Sequence, residues 1–279
     1  MLRAIFLLYL LAVITFAGQP SALAQALAAS GIIFSCGLAV ATYGWRGCVL
    51  LFGVCLVISF AIENIGTATG YPFGRYHFTV GAGLPHIGAI PIIVGPLYFG
   101  VGFLAWLIAG VLLDDADRHL DRPINVIALP VMAAFATVEW DVVMDPPGST
   151  LDHAWIWHDG GGYFGVPLSN FVGWFVTTWL FFQAFALMIH RWPGLFAGRV
   201  ARYGLEIRFC ASLLYLAIGL SQIVPYLTAG DDRVADATGH LWQARDVRET
   251  AVIVMAFTMA PTAILALFLL AKGRRLTPS

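Results

Sequence analysis

Apolar residues run along this chain in unbroken stretches of about 20, separated by short clusters of charge, glycine and proline. A helix rising 1.5 Å per residue needs about that length to cross roughly 30 Å of hydrocarbon. Breaks in the pattern predict about eight spans, near residues 3–17, 22–44, 47–66, 86–113, 124–144, 166–190, 204–229 and 249–271. The expected fold class is all-α: an integral membrane protein, one polytopic bundle of about eight transmembrane helices forming a single domain over residues 1–279. The first span admits a second reading, since Arg3, the apolar run Ala4–Ala17 and the small residues Ala22-Leu23-Ala24 also resemble a signal peptide and its cleavage site. We expect it to be retained as a span.

Cations beside the spans set the orientation. With the N-terminus inside, Arg3, Arg46, Arg118, Arg122, Arg191, Arg199, Arg202, Lys272, Arg274 and Arg275 are cytoplasmic, while Arg75, Arg233, Arg245 and Arg248 face out. The bias predicts that both termini are cytoplasmic. Composition agrees with the membrane assignment: of 279 residues 59% are hydrophobic and 11% charged, and the mean hydropathy is +0.82. Ordinary soluble domains carry about 25% charged residues, so a water-soluble globular protein is excluded. A net charge of -1 with no basic tract argues against a nucleic-acid partner. Cys36, Cys48, Cys55 and Cys210 lie in apolar segments without Cys-x-x-Cys spacing and read as small buried hydrophobes.

On this map the candidate chemistry collects at the outer face. Glu63 and Asn64 end the third span, Arg75, Tyr76 and His77 follow, Asp141 and Asp145 end the fifth, and Asn170 opens the sixth. Between the last two runs a loop carrying Asp152, His153, Trp155, Trp157, His158 and Asp159. Asp141 and Asp145 are one helical turn apart on one face, while Glu139 points elsewhere; Pro146 and Pro147 are expected to stop the helix. Ionisable groups inside spans usually face a protein interior or a wet cavity. A carboxyl group in apolar surroundings favours its neutral form and can act as a general acid, with a second carboxylate as base. The plainer reading is that such acids mark the interface or pair with Arg75. Trp155, Trp157, Tyr163, Phe164, Phe171, Trp174 and Phe175 read either as an interfacial belt or as a pocket wall able to stabilise a developing cation.

No metal site is expected, because His77, His86, His153, His158 and His240 lack ligand spacing and there is no His-Glu-x-x-His. A nucleophile elbow and a phosphate-cradling loop are also missing. The glycines and prolines of the fourth span suit a broken helix lining a cavity or, the reading we favour, a kinked helix packed closely on its neighbours. We find no internal repeat of the transporter kind.

Several motifs in order complete the picture: Glu63-Asn64, Thr69-Gly70-Tyr71-Pro72-Phe73-Gly74-Arg75-Tyr76, Ile90-Pro91, Trp140-Asp141 through Met144-Asp145-Pro146, and Gly165-Val166-Pro167-Leu168-Ser169-Asn170-Phe171-Val172-Gly173-Trp174. Together, over about residues 60–175, this set resembles the carotenoid biosynthesis protein family of membrane carotenoid hydratases. The sequence departs from the family pattern at His77, where an acidic residue is expected, at Pro146-Pro147-Gly148, and at Leu97-Tyr98-Phe99, which lacks an expected Trp. The resemblance implies addition of water to the terminal double bond of an acyclic carotenoid taken from the bilayer, giving a tertiary alcohol with no cofactor. We expect a prokaryotic cytoplasmic membrane, with the active face outside on the cation map above, contact with membrane lipids and association with other carotenoid-pathway enzymes. The residues that match the polar points of the family pattern are Glu63, Asp141 and Asp145, expected for catalysis, and Tyr76 and Asn170, expected to place substrate or water; we add Arg75, His77, Trp157 and Trp174 as further candidates for positioning. An end-group cyclase acting through the same cation, and a non-enzymatic transporter or binding protein for lipids or small molecules, are the alternatives.

Overall fold

The computed structural model describes residues 2–196 and 204–276. Its helices are α1 (Leu2–Phe16), α2 (Ala22–Thr69), α3 (Val94–Leu112), α4 (Pro123–Asp145), α5 (Leu168–Arg191), α6 (Gly204–Leu220), α7 (Ile223–Leu227), α8 (Ala244–Phe257) and α9 (Met259–Leu276). Among the described residues, six helical segments are long and apolar enough to cross a membrane: Ala22–Thr69, Val94–Leu112, Pro123–Leu151, Leu168–Arg191, Gly204–Leu227 and Ala244–Gly273. The chain is a helical membrane protein, with α1 as a further, shorter apolar helix. Arg199 and Arg202, counted above among the inner cations, lie outside the described residues, as do the side chains of Arg274 and Arg275.

The predicted spans 22–44 and 47–66 both fall in α2, but Gly44 interrupts it at φ 71° and ψ 172°. Cys48 Sγ lies 3.7 Å from the Cys36 carbonyl. Twelve residues of straight helix would part them by about 18 Å, so the chain doubles back at Gly44. Only a residue without a β-carbon adopts that backbone readily.

The fourth predicted span, 86–113, is helical only from Val94. Pro85, Gly88 and Pro91 instead shape a short hairpin, β2 (His86–Ile87) against β3 (Ile90–Pro91). Proline disfavours helical geometry in the residue before it and lacks the N–H a helix needs. Asn64 fastens the hairpin, accepting from the Ala89 N–H at 2.9 Å and donating to the Ile87 carbonyl at 3.0 Å. Beyond it α3 is almost wholly enclosed, in the close-packed manner expected. A β-carbon at Gly95 would stand 2.6 Å from Phe60, and Ser35 Oγ donates to the Gly100 carbonyl at 2.8 Å. Small residues that let backbones approach are how helices associate without a hydrophobic gradient.

Prolines in α4 leave carbonyls that side chains recover. Pro130 frees the Val126 carbonyl, which accepts from Gln183 Nε2 of α5 at 2.9 Å. Pro146 and Pro147 do not stop the chain winding, as had been expected; residues Pro146–Leu151 continue as a wide π-turn. With two N–H groups missing, the ladder is re-formed at longer reach: the Asp152 N–H donates to the Pro147 carbonyl at 3.0 Å, Ser149 Oγ to the Asp145 carbonyl at 2.8 Å, and the Tyr163 hydroxyl to the Val142 carbonyl at 3.2 Å. This extends the rigid scaffold beneath Asp145.

Opposite ends of the bundle differ in character. At one, buried Arg208 is held by Asp115 and Asp117, and Trp106 Nε1 donates to Tyr43, whose hydroxyl donates to the Asp117 carbonyl at 3.2 Å. At the other, β1 (Tyr76–Phe78) pairs antiparallel with β4 (Trp155–Trp157), and β5 (Arg233–Ala235) with β6 (Leu241–Gln243). Asp152 is tied to Arg248 of α8 at 2.9 Å; burial raises its carboxyl's pKa, and the Arg248 charge opposes that rise.

Candidate active site

The β1–β4 ribbon explains which side chains reach the interior. Tyr76 pairs with Trp157, His77 with Ile156 and Phe78 with Trp155. Side chains alternate across a strand, so Tyr76, Phe78, Trp155 and Trp157 face the bundle and His77 faces out. Phe73, on the preceding turn, is wedged between two glycines: a β-carbon at Gly66 would stand 2.7 Å from its ring and one at Gly173 2.4 Å.

Beneath the ribbon lies a cavity of about 390 Å³ whose wall includes Glu63 from α2, Tyr98 from α3, Trp140, Asp141 and Asp145 from α4, and Asn170 and Trp174 from α5. The three acids and Asn170 are each at most 3% exposed. Asn170 Nδ2 donates to Asp141 Oδ2 at 2.9 Å and also to Asp145 Oδ2, bridging the two carboxyl groups. Asp145 Oδ1 accepts from the Trp155 indole at 2.6 Å and the Trp157 indole at 3.3 Å. Glu63 accepts from the Tyr98 hydroxyl at 2.6 Å and from the Tyr76 hydroxyl. Burial and the adjoining Glu63 carboxyl hold the Tyr76 phenol well above its ordinary pKa, so it remains a donor. Aromatic rings and aliphatic side chains make up the rest of the wall: Tyr98 stacks on Trp174 with centroids 4.1 Å apart, and Trp140 lies 5.5 Å from Trp174.

Of the residues singled out in the sequence, Glu63, Tyr76, Asp141, Asp145, Trp157, Asn170 and Trp174 line this cavity. Arg75 and His77 do not. Arg75 is two-thirds exposed and pairs with Asp159, its Nε donating at 2.8 Å, while His77 Nδ1 meets His158 Nε2 at 2.7 Å outside the ribbon. Strand alternation accounts for His77, and Arg75 lies one residue before the strand. Glu139 serves a different neighbourhood, accepting from Tyr215 at 3.0 Å and Thr262 at 2.8 Å. Tyr98 and Trp140 carried no site role in the sequence, and Trp155 was read only as one ring of an interfacial belt or pocket wall. Tyr98 was legible only as a departure from an expected Trp. The geometry offers an acid pair sharing one amide, a separate carboxylate held by two phenols, and aromatic rings on the wall of the same cavity. That set suits proton transfer to and from an apolar molecule.

The profile of the family described as carotenoid biosynthesis protein matches residues 21–229. A protein of Haloarcula japonica named bisanhydrobacterioruberin hydratase is 29% identical over 119 residues, a segment covering 43% of this chain and 38% of that protein's length. No solved structure matches the chain. With the family's pattern extending from α2 through α7, the chain belongs to the carotenoid biosynthesis protein family.

Proposed function

We propose that this chain hydrates the terminal carbon-carbon double bond of an acyclic carotenoid end group, giving a tertiary alcohol without a redox cofactor. The observation that carries the reading is the group of three buried carboxyl side chains on the wall of one aromatic cavity. The hydratase name of the Haloarcula japonica relative supports it. In this mechanism Asp141 donates the proton. Asp145 already accepts from two indoles and an amide, an arrangement suited to an ionised carboxylate, whereas Asp141 accepts from Asn170 alone among the described residues. The alkene's electron pair takes the Asp141 proton at the less substituted carbon, leaving a tertiary cation at its neighbour. The ring faces of Trp140 and Trp174 stabilise that cation. A water oxygen then bonds to it and releases a proton to Glu63, which Tyr76 and Tyr98 hold in place. Return of that proton to Asp141 completes net addition of one water.

We further propose eight crossings, with α2 counted on both sides of Gly44, both termini cytoplasmic, and the carboxylate cavity at the outer face of a prokaryotic cytoplasmic membrane. Arg3 of α1 lies 3.6 Å from Glu206 at the start of α6, and Gly18, just beyond α1, abuts Ser221, just beyond α6. These contacts support α1 and α6 running side by side in the same direction. Substrate arrives from the bilayer, and other enzymes of the same pathway are expected neighbours.

The test is expression in cells that accumulate an acyclic carotenoid, with extracted pigments compared by chromatography and mass spectrometry. A product heavier by one water, absent with Asp141→Asn, is the expected result. An isomer of equal mass would make the chain a cyclase, and unchanged pigment beside folded protein would make it a transporter or binding protein.

A further inference from the structure

A second cavity, of about 160 Å³, lies against the first and shares five wall residues with it: Ala28, Ile32, Leu97, Trp140 and Met144. It continues toward the middle of the bundle between α1, α2, α3 and α6, past Tyr9, Gly31 and Leu104. Along α3 the joined lining runs from Val94 to Leu104, ten residues or about 15 Å. That is about half the hydrocarbon thickness of a bilayer. The carboxylates all lie on the first cavity; the side chains around the second are aliphatic or aromatic, with the Tyr9 and Ser221 hydroxyls and the Trp140 indole as their polar groups. Both of these hydroxyls are engaged, Tyr9 with Ser30 at 3.3 Å and Ser221 with the Ile218 carbonyl at 2.7 Å.

The first cavity has a different outlet at the surface, lined by Gln25, Val80, Gly81 and Leu84 on α2 and the loop after β1. Gln25 and Leu84 are exposed there. A polyene leaving by this outlet would carry its apolar surface toward the bundle end, whereas one leaving past Leu97 and Met144 stays among apolar side chains. Apolar surface favours the second route by about 25 cal/mol for each Å² kept from water. The surface outlet suits the other reactant, water.

We propose that the second cavity is the subsite for the distal polyene of the substrate, a linear conjugated hydrocarbon, and that Gly31 sets how long a chain the enzyme accepts. The inference rests on the hydratase reading only for the chemistry at the end group. Gly31 lines the second cavity and not the first, and a β-carbon there meets the Tyr9 hydroxyl at 3.4 Å, an ordinary contact. A leucine at this helical position therefore fills the subsite while leaving the carboxylates untouched. Gly37, on the same helix, has open space around its β-carbon position and provides the control.

The experiment compares hydration by wild type, Gly31→Leu and Gly37→Leu of two acyclic polyenes with the same end group, one full-length and one truncated. We expect Gly31→Leu to lower kcat/KM for the full-length substrate by about tenfold or more, the scale on which a filled apolar subsite discriminates. The truncated substrate should react at the wild-type rate, and Gly37→Leu should match wild type on both. Equal rates for Gly31→Leu and wild type on the long substrate would overturn the proposal, as would parallel loss on both substrates. If wild type hydrates neither polyene, the hydratase reading falls, and the subsite is judged by pigment retained on purified protein. Retention by wild type and Gly37→Leu but not by Gly31→Leu supports it; equal retention by all three overturns it.

Discussion

Asn170 gives the sharpest handle on the acid pair, because one buried amide group touches both carboxyl side chains. Replacing it with leucine removes both hydrogen bonds from a position 1% exposed. A hydrogen bond to a charged partner contributes about 1.5–3 kcal/mol, so loss of one such bond from the protonation step lowers kcat/KM by about ten- to a hundredfold. The effect should fall on kcat rather than KM, since the apolar body of the substrate is bound elsewhere. Asn170→Asp separates chemistry from packing: it keeps the shape but replaces the donor with a third acid, and should lose activity at least as far. The assay is the initial rate of hydrated product in membranes of matched protein content, with thermal unfolding of the purified variants as the folding control. Wild-type kcat in a folded Asn170→Leu protein would refute the reasoning that the bridge organises the acid pair.

Other residues separate in the same manner. Tyr98→Phe removes the 2.6 Å donor to Glu63 while keeping the ring stacked on Trp174, and should cut kcat about tenfold with little change in melting temperature. Gly173→Leu drives carbon into the Phe73 ring and should destabilise by about 1–3 kcal/mol, read as an earlier thermal transition. His77→Ala should leave turnover unchanged, since its ring lies with His158 outside the ribbon. The Arg75 hydrogen bond holds the exposed Asp159 carboxyl below its ordinary pKa, so what the pair adds to stability is present at neutral pH and fades on acidification. Asp159→Asn should flatten that acid-side change in melting temperature and leave the rate of hydration unaltered.

Much of the architecture was readable because the bilayer imposes one strong periodicity. Apolar runs located the helices, and the ends of three of them carried Glu63, the Asp141–Asp145 pair and Asn170. What hydropathy could not separate was the hairpin at 86–91 from the helix after it, since Ile87, Ile90 and Ile92 are as apolar as a span; the decisive signal was Pro91 with Gly88. The π-turn after Asp145 was hidden for a related reason. Prolines normally end a helix, and only the distant Tyr163 hydroxyl shows how a freed carbonyl, that of Val142, is used. Tyr98 and Trp140 lie inside apolar runs where an aromatic ring has no local mark of function. Their place in the wall depends on how α3, α4 and α5 pack, which no pattern along one helix encodes. Arg75 and His77 went the other way: sequence proximity to Tyr76 suggested a shared role, and strand alternation sends the neighbouring His77 side chain to the opposite face.

In the proposed reaction, water is added across a carbon-carbon double bond by the protein's own carboxyl groups. The most direct measurement incubates purified protein, without any added cofactor, with an acyclic carotenoid in heavy-oxygen water and follows the pigment by mass spectrometry. The expected product is heavier by one labelled water, its heavy oxygen on the tertiary carbon, formed by wild type and absent with a folded Asp141→Asn protein. An unlabelled oxygen in the product, or labelled product formed equally well by Asp141→Asn, would contradict it.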